Sequence, residues 1–312
     1  MKRNSTRKIP VKQFITRLVV IIIIAVVAAL LVAYYFEAMR QTAGMKVGDM
    51  NYMQTVMFVI NKYGLSMLRG AGYSLLIAAV GTVIGCLIGF AVGILQTIPV
   101  EQKDGIVKKV GMFIVKLICT VYVEVFRGTP MMVQAVFIYY GATMLFGIHM
   151  GALSAGFFIV SINTGAYIAE SVRGGIISVD PGQVEGAKSI GMNHFKTMLY
   201  VVFPQALRNI MPQIGNNFII NIKDSCVLSV ISVVELFFAS SSAAGAYYKY
   251  FEVYTVTMVM YLVMTLCISR LLRWMESKMD GPDNYELAHY DTLSETSGTI
   301  PVNRNQDIRG NL

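Results

Sequence analysis

SVDPGQVEGAKSIGMNHFKTMLYVVFPQALRNIMPQIGNN, residues 178–217, is a polar and basic stretch between long apolar runs. A loop of that length inside a compact bundle calls for a function. Its local signals predict two short helices joined by a glycine turn. Asp180 caps a helix whose first position is Pro181, Gln183 stands as the capping-box partner, and Gly191 ends the helix. A second helix follows over about 193–203, after which Pro204 and Pro212 interrupt the path into the next apolar run. Val184, Ala187 and Ile190 share one edge of the first helix, flanked by Glu185 and Lys188, an arrangement suited to seating in a partner's groove.

What surrounds this loop has the composition of a membrane protein. The 312 residues are 55% hydrophobic and only 14% charged, with a mean hydropathy of +0.58, far from the usage of soluble domains. About six spans are expected, near 18–36, 73–98, 127–147, 152–172, 212–240 and 252–272. Six Lys or Arg fall in residues 1–17, and further positive charge lies at 103–109, at 173–208 and after Arg270. The positive-inside rule therefore places the loop and both termini in the cytoplasm, with the links at 148–151 and 241–251 outside. Because the Lys and Arg border the apolar runs, the net charge of +8 is read as orientation and not as a nucleic-acid surface. The four cysteines form no CxxC or metal pattern.

Several segments carry readings of their own. Residues 18–36 are taken as a retained additional span, since the apolar run is too long for a signal peptide and no small-x-small cleavage site precedes Glu37. In 37–72, an extracytoplasmic segment, Met53, Val56, Met57 and Ile60 recur at helical spacing. They describe either an amphipathic helix along the outer interface or a packed connecting helix. Lys108, Lys109, Lys116 and Glu124 make 105–126 too charged for a span and predict an elbow helix on the cytoplasmic surface. Gly81, Gly85, Gly89 and Gly93 lay a flat stripe along the second span, a packing seam first and a pathway lining second. Residues 276–312 turn polar and are expected to be a disordered cytoplasmic tail.

EGAKSIGMNHFKTMLYVVFPQALR (185–208) resembles the EAA loop of ATP-binding-cassette (ABC) importer permeases. In that resemblance Glu185, Gly186 and Ala187 stand for Glu-Ala-Ala, Gly191 for the motif's glycine and Pro204 for the proline after the second short helix. Gly186 departs from the usual alanine, which loosens the helix by roughly 1 kcal/mol. YVEVFRGTPMMVQAVFIYYG (122–141), NTGAYIAESVRGGIISVDPGQ (163–183) and NNFIINIKDSCVLSVISVVEL (216–236) are similar to the polar-amino-acid branch of those permeases, the branch for histidine, glutamate, glutamine, arginine or cystine.

The resemblance implies an all-α, polytopic fold, the type I importer transmembrane domain, as a five-span core plus the extra N-terminal span. That domain would occupy 73–275 with a coupling loop at 178–212. It further implies two ABC ATPase subunits holding ATP and Mg, a second copy or a similar permease, an extracytoplasmic substrate-binding protein, and an amino acid as substrate. No cofactor is expected on this chain, which would sit in a bacterial cytoplasmic membrane.

Polar groups inside apolar runs are candidates for substrate contact because leaving them unpaired costs several kcal/mol. Gln134, Asn163, Glu170, Lys223, Asp224 and Glu235 qualify, Gln134 and Asn163 first because they lie in the hairpin of the third and fourth spans. Each has a plainer reading as glue between helices, and Glu170 is spaced to pair with Arg173. No GxxxxGK[ST] occurs, GAKS at 186–189 having the wrong glycine spacing, and no catalytic or metal constellation stands out. The rival function is an ion-gradient-driven transporter or channel for small polar solutes.

Overall fold

The computed structural model describes residues 45–100 and 102–279, together with Glu37 and Arg40. The expected span at 18–36 and the tail beyond Met279 lie outside the described residues. One compact unit runs to Arg273, and a second, Trp274–Leu312, is described only in its first helical residues. All regular elements among the described residues are helical.

Helix α1 (Tyr52–Thr97) starts at a capping box: Asn51 Oδ1 accepts from the Gln54 amide (2.9 Å), and Gln54 Oε1 accepts from the Asn51 amide (3.0 Å). Its 46 residues form one unbroken helix, about 70 Å at ~1.5 Å per residue and more than twice a bilayer's apolar thickness. The expected boundary at Tyr73 is therefore absent. Nor does the Met53–Ile60 stripe turn inward, since Met53 and Ile60 are exposed while Thr55 and Val59 are buried. Val59, Met67 and Ala71 pack instead against Leu236, Ala239, Ala243 and Val253.

Helix α2 (Ile106–Gly128) and helix α3 (Met131–Phe146) meet at Thr129–Pro130, and α3 ends at Gly147 in the left-handed region (φ 65°). Helix α4 (Ala152–Ile177) is the most enclosed. Against it lies the glycine row of α1, and the fit is register-for-register. A methyl added to Gly85 would come within 2.7 Å of Thr164 Cβ, to Gly89 within 2.5 Å of Ile168 Cβ, and to Gly93 within 2.7 Å of Val172 Cβ; Gly81 meets Val160 in the same way. Four glycines spaced by four thus receive four β-branched side chains spaced by four. That row is filled from within the chain.

Helix α2 occupies the stretch expected to form an elbow helix. Its Ile106, Val107, Phe113, Ile118 and Val125 are exposed, Lys116, Glu124 and Arg127 line an open cleft with Glu170 and Arg173 of α4, and Tyr122 Oη donates to the Ile162 carbonyl of α4 (2.6 Å).

After the short helices α5 (Pro181–Ser189) and α6 (His194–Thr197), a π-helical turn at Met198–Val202 leads into α7 (Phe203–Asp224). The two prolines do not interrupt the path. Pro204 falls in the first turn of α7, where its missing N–H is least costly, directly after the wider turn, and Pro212 lies inside α7. The break comes later. A 3₁₀ stretch, Ser225–Ile231, ends at Ser232 (φ 64°), and helix α8 (Leu236–Tyr247) leaves at 54°. Helix α9 (Tyr250–Met279) follows a two-residue turn, shorter than the expected link at 241–251.

Three helices among the described residues are long and apolar enough to cross a membrane, Tyr52–Thr97, Ala152–Ile177 and Tyr250–Met275, or four with the bent pair.

Candidate coupling and substrate sites

The loop helix α5 is fixed at both ends by its own residues. Asp180 Oδ1 accepts from the Gly182 amide (2.7 Å), beside Pro181 in the first position. The box partner expected at Gln183 is replaced by a backbone bond from its amide to the Asp180 carbonyl (3.0 Å). At the other end Gly191 (φ 84°) donates to the Lys188 carbonyl (2.9 Å) and Met192 to the Ala187 carbonyl (3.1 Å), a Schellman stop. Asn193 Oδ1 then caps α6 at the Lys196 amide (2.9 Å). The loop is tied to α7 where Asn209 donates to Ser178 Oγ (3.1 Å).

The expected docking edge is divided. Ala187 is buried, and Val184 packs on the cluster of Val179, Val202 and Ala206, so both face this chain. Only Ile190, 80% exposed, points away, and Glu185, Gly186, Ser189, Gly191 and Pro204 are exposed with it. Phe195 and Tyr200 extend that surface. The outward face is polar with isolated large apolar groups.

Gln134 and Asn163 are brought together, and their geometry is that of a splice. Pro130 has no N–H, which leaves the Phe126 carbonyl at the end of α2 without its helical donor. Gln134 Nε2 supplies one (2.9 Å), and bonds also to the Thr129 carbonyl (2.9 Å) and Thr129 Oγ1 (2.8 Å). Asn163 Nδ2 donates to Gln134 Oε1 (2.8 Å) and to the Phe126 carbonyl (3.3 Å). Both side chains are buried, and the Gln134 carboxamide and the Asn163 NH₂ are engaged in joining α2, α3 and α4.

Glu235 is another internal joint. Its carboxylate accepts from the amides of Phe237 (2.8 Å) and Phe238 (2.7 Å), from Tyr261 Oη (3.0 Å) and from Ser74 Oγ (3.3 Å), capping α8 and linking α1 to α9. Asn221 was missed by sequence reasoning. It donates to Thr82 Oγ1 (2.9 Å) and Thr164 Oγ1 (3.0 Å), binding α7 to the glycine seam. Lys223 is exposed and Asp224 half-buried at the end of α7, immediately before the broken stretch.

Glu170 lines an open cleft of about 430 Å³ with Gln96, Lys116, Thr120, Val123, Glu124, Arg127 and Arg173. Arg173 grips its carboxylate through Nε (3.0 Å) and Nη2 (2.5 Å), and Arg127 Nη1 stands 3.8 Å away. Lys116, Thr120, Glu124 and Arg127 fall on one face of α2 at helical spacing. That spacing was the signal available in the sequence, had 105–126 been read as a helix with a polar inner face.

The family described as binding-protein-dependent transport system inner membrane component matches residues 106–281. The chain belongs to this family. The permease is 34% identical over 214 residues to the glutamine transport system permease protein GlnP of Escherichia coli strain K12, covering 68% of this chain and 92% of that one. It is 37% identical over 163 residues to the probable amino-acid permease protein YxeN of Bacillus subtilis, covering 52% and 73%. A solved amino acid ABC transporter with histidines shares 37% identity and a TM-score of 0.62 over 71% of the permease and 97% of that chain. Inward-facing structures of the methionine ABC transporter MetNI share the fold, with 19% identity and a TM-score of 0.53. The permease is thus an all-α membrane transport subunit of an ABC importer.

Proposed function

We propose that this permease carries amino acids inward across the cytoplasmic membrane, with ATP and Mg held on two separate ATPase subunits and a binding protein delivering substrate from outside. A second copy or a similar permease completes the pathway, and both termini are cytoplasmic. The observation that carries the reading is the loop helix α5, stopped at both ends and anchored by Val184 and Ala187, which leaves Glu185, Ser189 and Ile190 as a firm contact for an ATPase. A force on that face reaches α7 through the Val179–Val202–Ala206 packing and the Asn209–Ser178 bond.

The Gln96–Arg173 cleft is the proposed amino-acid site. Glu170 is occupied by the two arginines, whereas Lys116 and Glu124 make no ion pair among the described residues. They present one cation and one carboxylate to a zwitterion's carboxylate and ammonium groups. Gln134 and Asn163 serve as the splice behind that site.

Proteoliposomes containing the permease, its ATPase and its binding protein test this. Uptake should require ATP, and Ile190→Asp or Glu185→Arg should separate ATP hydrolysis from uptake while the assembly stays intact. Uptake driven by an ion gradient without any ATPase would instead establish the rival reading.

A further inference from the structure

A second cavity, of about 510 Å³, lies where the loop rejoins the bundle. One wall is the end of α1, with Ile94, Thr97 and Ile98, beside Ile176 at the end of α4. The other is the return from α6 into α7, with Met198, Leu199 and Phe203. Its floor is core, because Ile94, Ile176 and Met198 pack on the cluster of Ile168, Val172 and Val202. Of its two polar lining residues, Thr97 spends its hydroxyl on the Ile94 carbonyl (2.9 Å), and His194 is exposed at the rim. No lining residue carries a carboxylate, so the ammonium group of an amino acid would be desolvated there without a partner.

Three features select a different occupant. Helices α1 and α4 are long and apolar enough to cross a membrane, and the cavity opens at their ends, the level at which acyl chains give way to headgroups. Phe195 and Leu199 leave large apolar surface exposed beside it, on a loop that is otherwise polar and basic. Lys196, exposed and next to Phe195, joins His194 in supplying cationic or donor groups of the kind that meet a phosphate at a membrane surface. We propose that this cavity is a lipid site: it takes an acyl chain of an anionic phospholipid from the cytoplasmic leaflet, whose headgroup phosphate is held by Lys196 and His194. The proposal rests on the loop lying on the cytoplasmic side.

Photolabelling of the full chain with its ATPase in phosphatidylcholine nanodiscs tests the site. A small fraction of the lipid is replaced by phosphatidylglycerol or by phosphatidylcholine carrying a diazirine in one acyl chain, and the adducts are mapped by peptide mass spectrometry. Adducts should concentrate in residues 94–98 and 194–203, roughly fivefold more from phosphatidylglycerol than from phosphatidylcholine. Lys196→Gln should remove most of that difference. Leu199→Trp, which fills the cavity, should suppress adducts there from both probes while those on the exposed face of α2 persist. Labelling no denser at the cavity than on α2, or unchanged by Leu199→Trp, overturns the site, and equal labelling by the two probes overturns the anionic headgroup. Labelling that appears only after the ATPase is removed assigns the cavity to the protein contact and overturns the lipid site as well. ATP-driven uptake by the same complex is measured in parallel in proteoliposomes. Adducts without such uptake leave the lipid site standing while the importer reading fails, whereas uptake without adducts overturns the lipid site alone.

Discussion

Asn163 donates to Gln134 across 2.8 Å, and through that bond a residue of α4 holds the junction that Pro130 opens between α2 and α3. Replacing Gln134 with Leu leaves the Phe126 and Thr129 carbonyls short of donors in a low-dielectric setting, at about 1–3 kcal/mol. The expected outcome is a lower melting temperature of the purified complex with the order of amino-acid preference retained. A changed preference at unchanged stability would show substrate contact instead. A double-mutant cycle with Asn163→Leu should give strongly non-additive losses.

Gly89→Ala sets a methyl where Ile168 Cβ already lies 2.5 Å away. Overpacking of this kind costs about 1–3 kcal/mol, read as reduced thermal stability in detergent. Ile168→Ala in the same chain should recover part of the loss, because it vacates the opposing position. Gly72→Ala, where the added methyl meets nothing within 4 Å, serves as the clash-free comparison and should hold or raise stability.

The loop offers two glycines with opposite expectations. A methyl at Gly186 meets no atom within 4 Å, so Gly186→Ala should firm α5 by about 1 kcal/mol and slow hydrogen exchange of its amides. Gly191 has φ 84°, and Gly191→Ala there should cost about 1 kcal/mol and speed the same exchange. If both change exchange in one direction, the Schellman stop is not what holds this helix.

Glu235→Gln replaces an all-acceptor group with one that carries an NH₂. One of its ends must then face a backbone N–H of Phe237 or Phe238, donor against donor. A loss of about 1–3 kcal/mol is expected in thermal unfolding. Tyr261→Phe, which removes a single donor, should cost less.

Features set by neighbours in sequence were legible and features set by neighbours in space were not. The start of α5 at Asp180 and its stop at Gly191 follow from caps, which depend on a few adjacent residues. The continuous α1 was divided at Tyr73, although nothing in that stretch breaks helical hydrogen bonding. Pro204 and Pro212 were read as interruptions because the π turn that precedes them has no sequence mark. Among candidate site residues, the closeness of Gln134 and Asn163 was foreseen. Their engagement was not, because it arises from the Phe126 carbonyl that Pro130 strands across a helix junction. Lys116 and Glu124 were seen as obstacles to membrane insertion because a count of charges does not say which face they occupy.

The glycine row of α1 and the β-branched row of α4 have a mechanical consequence. Two helices interlocked at four successive turns resist sliding, since each step would drive a side chain over a backbone with no gap to receive it. The pair is the chassis of the subunit. The bend in the chain falls outside this pair, at the 3₁₀ stretch Ser225–Ile231 and the left-handed Ser232, where α8 departs from the line of α7 by 54°.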